Sequence, residues 1–547
     1  MYNVLKSMNM GSSPGPDGFP IEFYKAFWDV IGDTFVSVVN IFLESGSLPF
    51  SFKRGRIVLL HKEGGNPSHP EAWRPITLLN VDYKIVASLL VKRIRDGMPY
   101  VISPFQTCSV PGRSIFTSLL LTRDLFAYAV SRGLRGVHIS LDQAKAFDRV
   151  EHRYLFAVLD AFGFPRAFTH LVESMYSNVH SELVVNGQVT PAFQVSRGVR
   201  QGCPLSPLLF VLCIDPLLRK ISENENIRGF PLPGSEAVSV SAYADDVQLF
   251  LRDADSVIEM NRVFETYARL SGARLNIEKC KALSFGSFDE VLPGAIPFVP
   301  STRVLGVIFD CTGVTDEAWQ EIMSKMELQV SITSRFNLSF SDRAYLIKSV
   351  LTSKLFFVSR VAHPPPSVVR RVTTLLFSFF WSGRTELVAR TSLRLPRFDG
   401  GWSLPCVAMQ SAVFFLKSLL EVLDDVSNPG RALVLYCLGP SRRTLVPRAL
   451  GNRYPSVESP PRNYRSAISL FRELQDTMPD LDVRGTPATR IVEELCASAS
   501  FGRPRPGNLS FPWMALVVVP ASSCAGFSVA PRVGRAGYQR PFAALGY

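Results

Sequence analysis

Three aspartates have the type and setting for metal-assisted chemistry: Asp142, Asp245 and Asp246. The last two are adjacent, in Ala242-Tyr243-Ala244-Asp245-Asp246. Ala237-Val238-Ser239-Val240-Ser241 precedes them and Val247-Gln248-Leu249-Phe250-Leu251 follows. Alternation of period two on both flanks predicts two strands joined by a tight turn. Neighbouring carboxylates at the tip of such an apolar hairpin repel each other and resist desolvation. A bound divalent cation would offset both costs. The competing reading is a solvated turn, where Asp is common. Asp142 ends Gly136-Val137-His138-Ile139-Ser140-Leu141, which reads as a strand closing on an acid. That is a familiar ligand position in α/β sheets, and the alternative is a helix N-cap. Nucleotidyl transfer needs two Mg²⁺ ions about 4 Å apart, one at the attacking 3′-hydroxyl and one at the leaving pyrophosphate. Carboxylates from two strands are the minimum that clamps such a pair. No Ser/His/Asp set and no Walker loop competes.

The elements around these acids follow from the same patterns. Residues 1–10 carry no capping or strand signal, and 11–20 form a Gly/Pro loop. Helices are expected over 21–42, 81–95, 115–131, 207–221 and 257–271, with a buried strand at 57–60. Lys62 and Arg74 flank a turn-rich stretch and could meet across a hairpin. A point charge beside a planar fork suits a triphosphate; two surface cations are the plainer reading. Residues 183–186 and 193–195 look like paired strands. They feed Arg197-Gly198-Val199-Arg200-Gln201-Gly202-Cys203-Pro204, a polar loop of the kind that lets backbone approach a ligand. Asp148 reads as structural. Residues 303–309 read as one strand. The stretch 317–381 is helical and basic, with Lys325, Arg335, Arg343, Lys348, Lys354, Arg360, Arg370 and Arg371. Such a face is either solvated or set against a phosphate backbone.

The composition bounds the class. A chain of 547 residues implies two to four domains. A formal charge of +12 favours a polyanionic partner such as nucleic acid. The nine cysteines contain no CxxC pair, which points to free thiols in a reducing compartment. No apolar run reaches 18 residues and no signal peptide opens the chain. An intracellular protein of the cytoplasm or nucleus, without a membrane segment, is the expectation.

From about Ser13 to Leu423 the sequence resembles the reverse transcriptase of non-LTR (LINE-type) retrotransposons, in particular the LINE-1-like branch. The resemblance is carried in order by Ser13-Pro14-Gly15-Pro16-Asp17-Gly18, Trp73-Arg74-Pro75-Ile76-Thr77-Leu78-Leu79-Asn80, Val110-Pro111-Gly112-Arg113 and Leu141-Asp142 with Lys145-Ala146-Phe147-Asp148. It continues through Arg200-Gln201-Gly202-Cys203-Pro204-Leu205-Ser206-Pro207, Tyr243-Ala244-Asp245-Asp246, Leu275-Asn276 with Lys279, and Leu305-Gly306. Each segment alone is weak; their order and spacing make chance a poor explanation. Phe379-Phe380-Trp381-Ser382-Gly383 and Gly400-Gly401-Trp402 favour this branch over a maturase-like reverse transcriptase of group II introns.

The resemblance implies an α+β right-hand polymerase with an antiparallel palm sheet and a mostly helical C-terminal region. Fingers would span 1–135, palm 136–312, thumb 313–385, a helical region 386–495, and a poorly ordered basic tail 496–547. It implies RNA-directed DNA synthesis on an RNA template, from a DNA primer or target DNA, with dNTPs. Asp142, Asp245 and Asp246 would hold two Mg²⁺ ions, with Mn²⁺ as a substitute. Lys62 and Arg74 would hold the triphosphate. Phe147 would lie under the sugar and exclude a 2′-hydroxyl, although as a residue alone it reads as core. Gln201 would border the nucleotide pocket, Lys279 would protonate pyrophosphate, and Leu305-Gly306 would grip the primer. The sequence departs from the family at both ends. There is no room for an endonuclease before Gly11, and Cys496 and Cys524 lack partners at metal-ligand spacing. A truncated copy is the corresponding expectation, and a catalytically dead nucleic-acid-binding remnant is the rival.

Overall fold

Strands and amphipathic helices of this kind must bury their apolar faces, and the sheet that positions the acids is a four-stranded one. The structure is a computed structural model that describes residues 1–62, 64–288, 291–292, 296–394, 397, 400–441 and 455–477. Its strands, in chain order, are β1 (Arg54–His61), β2 (Trp73–Leu79), β3 (Gly136–Leu141), β4 (Val179–Val185), β5 (Gln188–Val189), β6 (Phe193–Val195) and β7 (Phe230–Leu232). They continue with β8 (Ser235–Val238), β9 (Val240–Tyr243), β10 (Asp246–Leu251), β11 (Lys281–Phe285), β12 (Thr302–Val304), β13 (Val307–Asp310) and β14 (Gly313–Val314).

The acid-bearing sheet has the order β11-β3-β10-β9 and is antiparallel throughout. Its side chains alternate between two cores, as a pleated strand requires. Val137, Ile139, Leu141, Val247 and Leu249 pack into one core with the Ser206–Glu223 helix. Phe250, Leu283 and Phe285 pack into another with Leu125 and Phe126 of the Ile115–Ser131 helix. Both faces are covered, so only the strand ends open outward, and Asp142, Asp245 and Asp246 stand there. The expected α+β class and antiparallel acid-bearing sheet are both observed.

A second sheet has the order β2-β1-β4-β5, with β6 on β4. β1 and β2 form the expected antiparallel hairpin, but β1 also pairs parallel to β4. Helices dominate beyond β14: Asp316–Thr333, Phe340–Leu346, Ser353–Ser359, Pro366–Phe380, Val407–Asp424, Arg431–Leu438 and Arg462–Thr477. The tail expected at 496–547 lies outside the described residues. Among the described residues no helix is long and apolar enough to cross a membrane.

Several local expectations change. Residues 1–10 contain a helix, Tyr2–Ser7, whose Leu5 is fully buried. The helix expected over 21–42 is two, Ile21–Ala26 and Trp28–Ser45, broken at Phe27. Ile21 and Tyr24 pack beside Leu5, Val81 and Ile85, whereas Val39 and Phe42 enter the main core. A straight helix cannot serve both. Residues 193–195 pair with 179–181, because β4 turns back at Asn186-Gly187 onto β5. Both turn residues have positive φ, the two-residue hairpin signature. The same device splits 303–309. Leu305 (φ 47°) and Gly306 (φ 89°) form the turn between β12 and β13.

Candidate active site

β3 delivers Asp142. It is not an N-cap, since the next helix, Ala146–Arg149, starts after Lys145 at φ 50°. Instead the 274–280 segment pins it. Asn276 N–H donates to the Asp142 carbonyl at 2.8 Å, and Ala144 N–H to the Arg274 carbonyl at 2.8 Å. The Asp142 N–H meets Cys280 Sγ at 3.4 Å.

The β9–β10 hairpin delivers the other two acids. Tyr243 pairs with Asp246, leaving Ala244 and Asp245 as the two-residue turn. Leu141 pairs with Val247, so one further step of the register sets Asp246 opposite Asp142. The three carboxylates feel one another. Asp246 is exposed at the strand end, yet the protein packed around it partly desolvates its carboxyl and, with the Asp245 and Asp142 charges, pushes it up to about 6. Burial also raises Asp245, and Asp142 pushes it further while Arg74 pulls it back. Three like charges crowded at one end of the sheet, two of them half-buried, cost free energy that a cation would offset.

That donor set fits a divalent ion. Among the described residues, no three His, Cys, Asp or Glu side chains form a ready-made metal cage. Mg²⁺ rarely uses one; it takes one or two carboxylates and completes its shell with water and substrate phosphates. Asp142, Asp245 and Asp246 are the residues that would hold it.

The β1–β2 hairpin carries both expected cations. Arg74 pairs with Leu60, and Lys62 N–H bonds the Ala72 carbonyl at 2.7 Å. Two residues apart on a ladder, they share a face. The field of Arg74 reaches Asp245, and that of Lys62 reaches Asp148. Lys62 Nζ donates to the Glu71 carbonyl at 2.8 Å.

The 197–203 loop is stitched between these parts. Val199 N–H donates to the Phe147 carbonyl at 2.8 Å and Thr77 N–H to the Gln201 carbonyl at 2.7 Å. Gly202 sits at φ 116°, where a Cβ would lie 2.4 Å from the Thr77 carbonyl oxygen, so no other residue fits. Gln201 Nε2 donates to Asp148 Oδ1 at 2.9 Å. Burial raises the Asp148 carboxyl, while Gln201, Lys145 and Lys62 hold it down. Asp148, read from sequence as structural, thus orients the Gln201 amide. The signal for it was its place in the same motif as Asp142. Phe147 lies flat on Phe210, with ring centroids 4.3 Å apart and planes 12° from parallel. Nothing in the apolar run around Phe210 distinguishes it.

Lys279 is exposed, at the end of a short turn, Ile277–Lys279. Leu305 and Gly306 lie in the β12–β13 turn, in a separate small sheet. Of the basic row in 317–381, Arg360 is committed internally. It pairs with both oxygens of Glu421 at 2.7 Å and sits 3.7 Å from the Phe116 ring centre. Arg335, Lys348, Lys354 and Arg370 remain exposed.

Residues 60–309 match the family described as reverse transcriptase (RNA-dependent DNA polymerase). This chain carries a reverse transcriptase domain. The expected kinship with non-LTR retrotransposon proteins also holds. The Transposon TX1 uncharacterized 149 kDa protein of Xenopus laevis is 34% identical over 443 residues, 78% of this chain and 33% of that protein. The Pol polyprotein from the type-2 retrotransposable element R2DM of Drosophila melanogaster is 24% identical over 435 residues, covering 76% and 40%. The RNA-directed DNA polymerase from mobile element jockey of Drosophila melanogaster is 23% identical over 376 residues, covering 65% and 40%. The chain therefore spans between a third and two-fifths of the length of these relatives. A solved telomerase of Candida tropicalis covers 76% of this chain and 68% of its own at 12% identity. Its TM-score of 0.39 is too low to bear on the reverse transcriptase domain.

Proposed function

We propose that the chain is an RNA-directed DNA polymerase of a non-LTR retrotransposon, which adds dNTPs to a primer 3′-hydroxyl on an RNA template. One observation carries the reading. In a reverse transcriptase domain, three carboxylates from two antiparallel strands crowd at the open end of a sheet whose faces are both buried. Asp142, Asp245 and Asp246 hold two Mg²⁺ ions, and Mn²⁺ can replace them. When bound, such ions acidify the primer hydroxyl and neutralise charge on the departing pyrophosphate.

The remaining residues bind and orient. Arg74 and Lys62 face the triphosphate from one side of the β1–β2 hairpin, and Lys62 leaves its Glu71 carbonyl to do so. Phe147, backed by Phe210, forms a flat wall under the sugar. Gln201, oriented by Asp148, borders the base and ribose. Lys279 gives a proton to pyrophosphate. Leu305 and Gly306 present the β12–β13 turn to the primer end. In this reading 1–135 are fingers, 136–312 palm and 313–385 thumb, with exposed Arg335, Lys348, Lys354 and Arg370 on the duplex backbone. RNA template, DNA primer or target DNA and dNTPs are its partners, in the cytoplasm or nucleus.

Primer extension by the full chain on an RNA template, with Mg²⁺ or Mn²⁺, tests the proposal. Templated, dNTP-dependent extension is the expected result. A chain that shifts a primer–template duplex on a gel yet extends nothing with either ion is a nucleic-acid-binding remnant, and the polymerase reading then falls.

A further inference from the structure

Between the short Met98–Val101 helix and the Ile115–Ser131 helix the chain has no regular element, yet Ser103, Gln106 and Thr107 are buried there. Arg113 gathers the loop. Its Nη1 donates to the carbonyls of Ser103 at 2.5 Å and Gln106 at 2.8 Å, and its Nη2 to that of Ile102 at 3.3 Å. Asp215, fully buried, accepts from Ser103 N–H at 2.9 Å and from Ser103 Oγ at 2.5 Å. This loop has one fixed shape, and it lies along the free edge of β9. Ala242 N–H donates to the Phe105 carbonyl at 2.8 Å, and Thr107 N–H to the Ala242 carbonyl at 3.0 Å.

Beyond Ala242 the main-chain pairing stops and one side chain takes it over. Gln106 Oε1 accepts from Ala244 N–H at 2.9 Å, and Gln106 Nε2 donates to the Ala244 carbonyl at 3.2 Å. Gln106 Oε1 also accepts from Cys108 N–H at 3.0 Å, which fixes the amide's orientation. Gln106 itself is fully buried. The residue it holds is an alanine at φ 53°, the first position of the two-residue turn that carries Asp245. Glycine is the usual occupant of such a position, because a Cβ disfavours it. An alanine persists there only if its surroundings hold it.

We propose that Gln106 is a positioning residue that fixes the Asp245–Asp246 turn by hydrogen-bonding both main-chain groups of Ala244. Its consequence for catalysis rests on the polymerase reading above; its consequence for the turn does not. Mg²⁺ demands near-ideal octahedral geometry, so a turn that relaxes by an ångström spoils the ion site while leaving template binding alone. Misplacement on that scale costs roughly a hundredfold in turnover.

Two variants of the full chain test this, Gln106→Met, which removes all three bonds, and Gln106→Glu, which when ionised keeps the acceptor but cannot donate to the Ala244 carbonyl. The first readout is hydrogen exchange without metal or substrate. In Gln106→Met, the Ala244 amide should exchange roughly tenfold faster, the change expected when one hydrogen bond is lost, with β1 and β2 unchanged. The second is primer extension. Turnover should fall by roughly a hundredfold and the Mg²⁺ requirement should rise, with primer–template Kd unchanged. Gln106→Glu should fall between wild type and Gln106→Met on both readouts. Unchanged Ala244 exchange overturns the proposal. So does exchange that rises equally in β1 and β2 with loss of template binding, or misfolding of both variants, since each makes Gln106 merely structural. If Gln106→Met alone misfolds, Gln106→Glu decides by the same criteria. Wild-type chain that extends no primer refutes the polymerase reading, and the exchange result then judges the turn by itself.

Discussion

The stack of Phe147 on Phe210 turns sugar selection into a quantitative question. Phe210 is 1% exposed, inside the Ser206–Glu223 helix. It supports one face of the Phe147 ring at 4.3 Å, and the Val199 N–H holds the Phe147 carbonyl at 2.8 Å. If Phe147 lies under the sugar as proposed, a ring fixed in this way would not tilt to admit a 2′-hydroxyl. Excluding or admitting one small group at a rigid wall is worth about 1–3 kcal/mol, or 10- to 200-fold in kcat/KM. Phe147→Val should therefore raise the ribonucleotide-to-deoxynucleotide ratio of kcat/KM by that factor. Phe210→Leu leaves the wall but removes its support. An aromatic stack is worth about 0.5–1.5 kcal/mol, so this variant should raise the ratio only about two- to twelvefold. Single-nucleotide incorporation with matched dNTP and rNTP gives both numbers. An unchanged ratio in Phe147→Val, or a larger effect from Phe210→Leu, refutes the wall.

Asp245→Asn should lower extension by roughly 10²- to 10³-fold or more while primer–template Kd stays within about twofold; equal loss of both would mean a folding role. Arg123 and Asp124 are buried together, and Tyr464 Oη donates to Asp124 Oδ2 at 2.6 Å. Asp124→Ala should cost about 3–5 kcal/mol, because Arg123 is left charged and unpaired, and Tyr464→Phe about 1–3 kcal/mol. Unfolding midpoints check the order, and equal losses would contradict it. His138 is fully buried against Phe126 and Phe250, and burial depresses its pKa from 6.5 to about 4. Between those values the unfolded chain binds a proton that the folded one refuses. Stability should thus be intact above pH 6.5 and fall by up to roughly 3 kcal/mol as pH drops towards 4. Comparing unfolding of wild type and His138→Gln at pH 7 and pH 5 reads this term, and parallel losses would refute it.

Sequence patterns carry local information, and the structure divides along that line. The hairpin around Ala244-Asp245 was legible because strand alternation and turn chemistry are local. So was the Ile115–Ser131 helix, whose bounds coincide with the expected ones. The break at Phe27 was not legible, since it arises from two halves packing into different cores. Nor was the parallel pairing of β1 with β4, whose partners, such as Arg54 and His180, lie far apart in the chain. At the site, the charged residues announced themselves by type. The residues that orient them did not. Gln106 and Phe210 act through tertiary contacts that no period encodes, and Asp148, which reads from sequence as structural, shows what it orients only once Gln201 is placed beside it.

These orienting contacts also explain how the acids tolerate one another. Asp246, raised to about 6 by partial desolvation and by the Asp245 and Asp142 charges, would move away from those charges if its loop could. Here each neighbouring loop is held from outside its own segment. Asn276 holds Asp142, Gln106 holds Ala244, Phe147 holds Val199, and Thr77 bonds Gln201. The repulsion therefore stays stored in the geometry instead of relaxing away. On the proposed reading, Asp142, Asp245 and Asp246 would take a cation that comes with a polyphosphate, and the relief of their repulsion would favour binding where the reacting oxygens meet. In the proposed polymerase, holding the acids together in the free protein would draw a metal–nucleotide complex to one point, and Arg74, whose charge already reaches Asp245, would receive its phosphates.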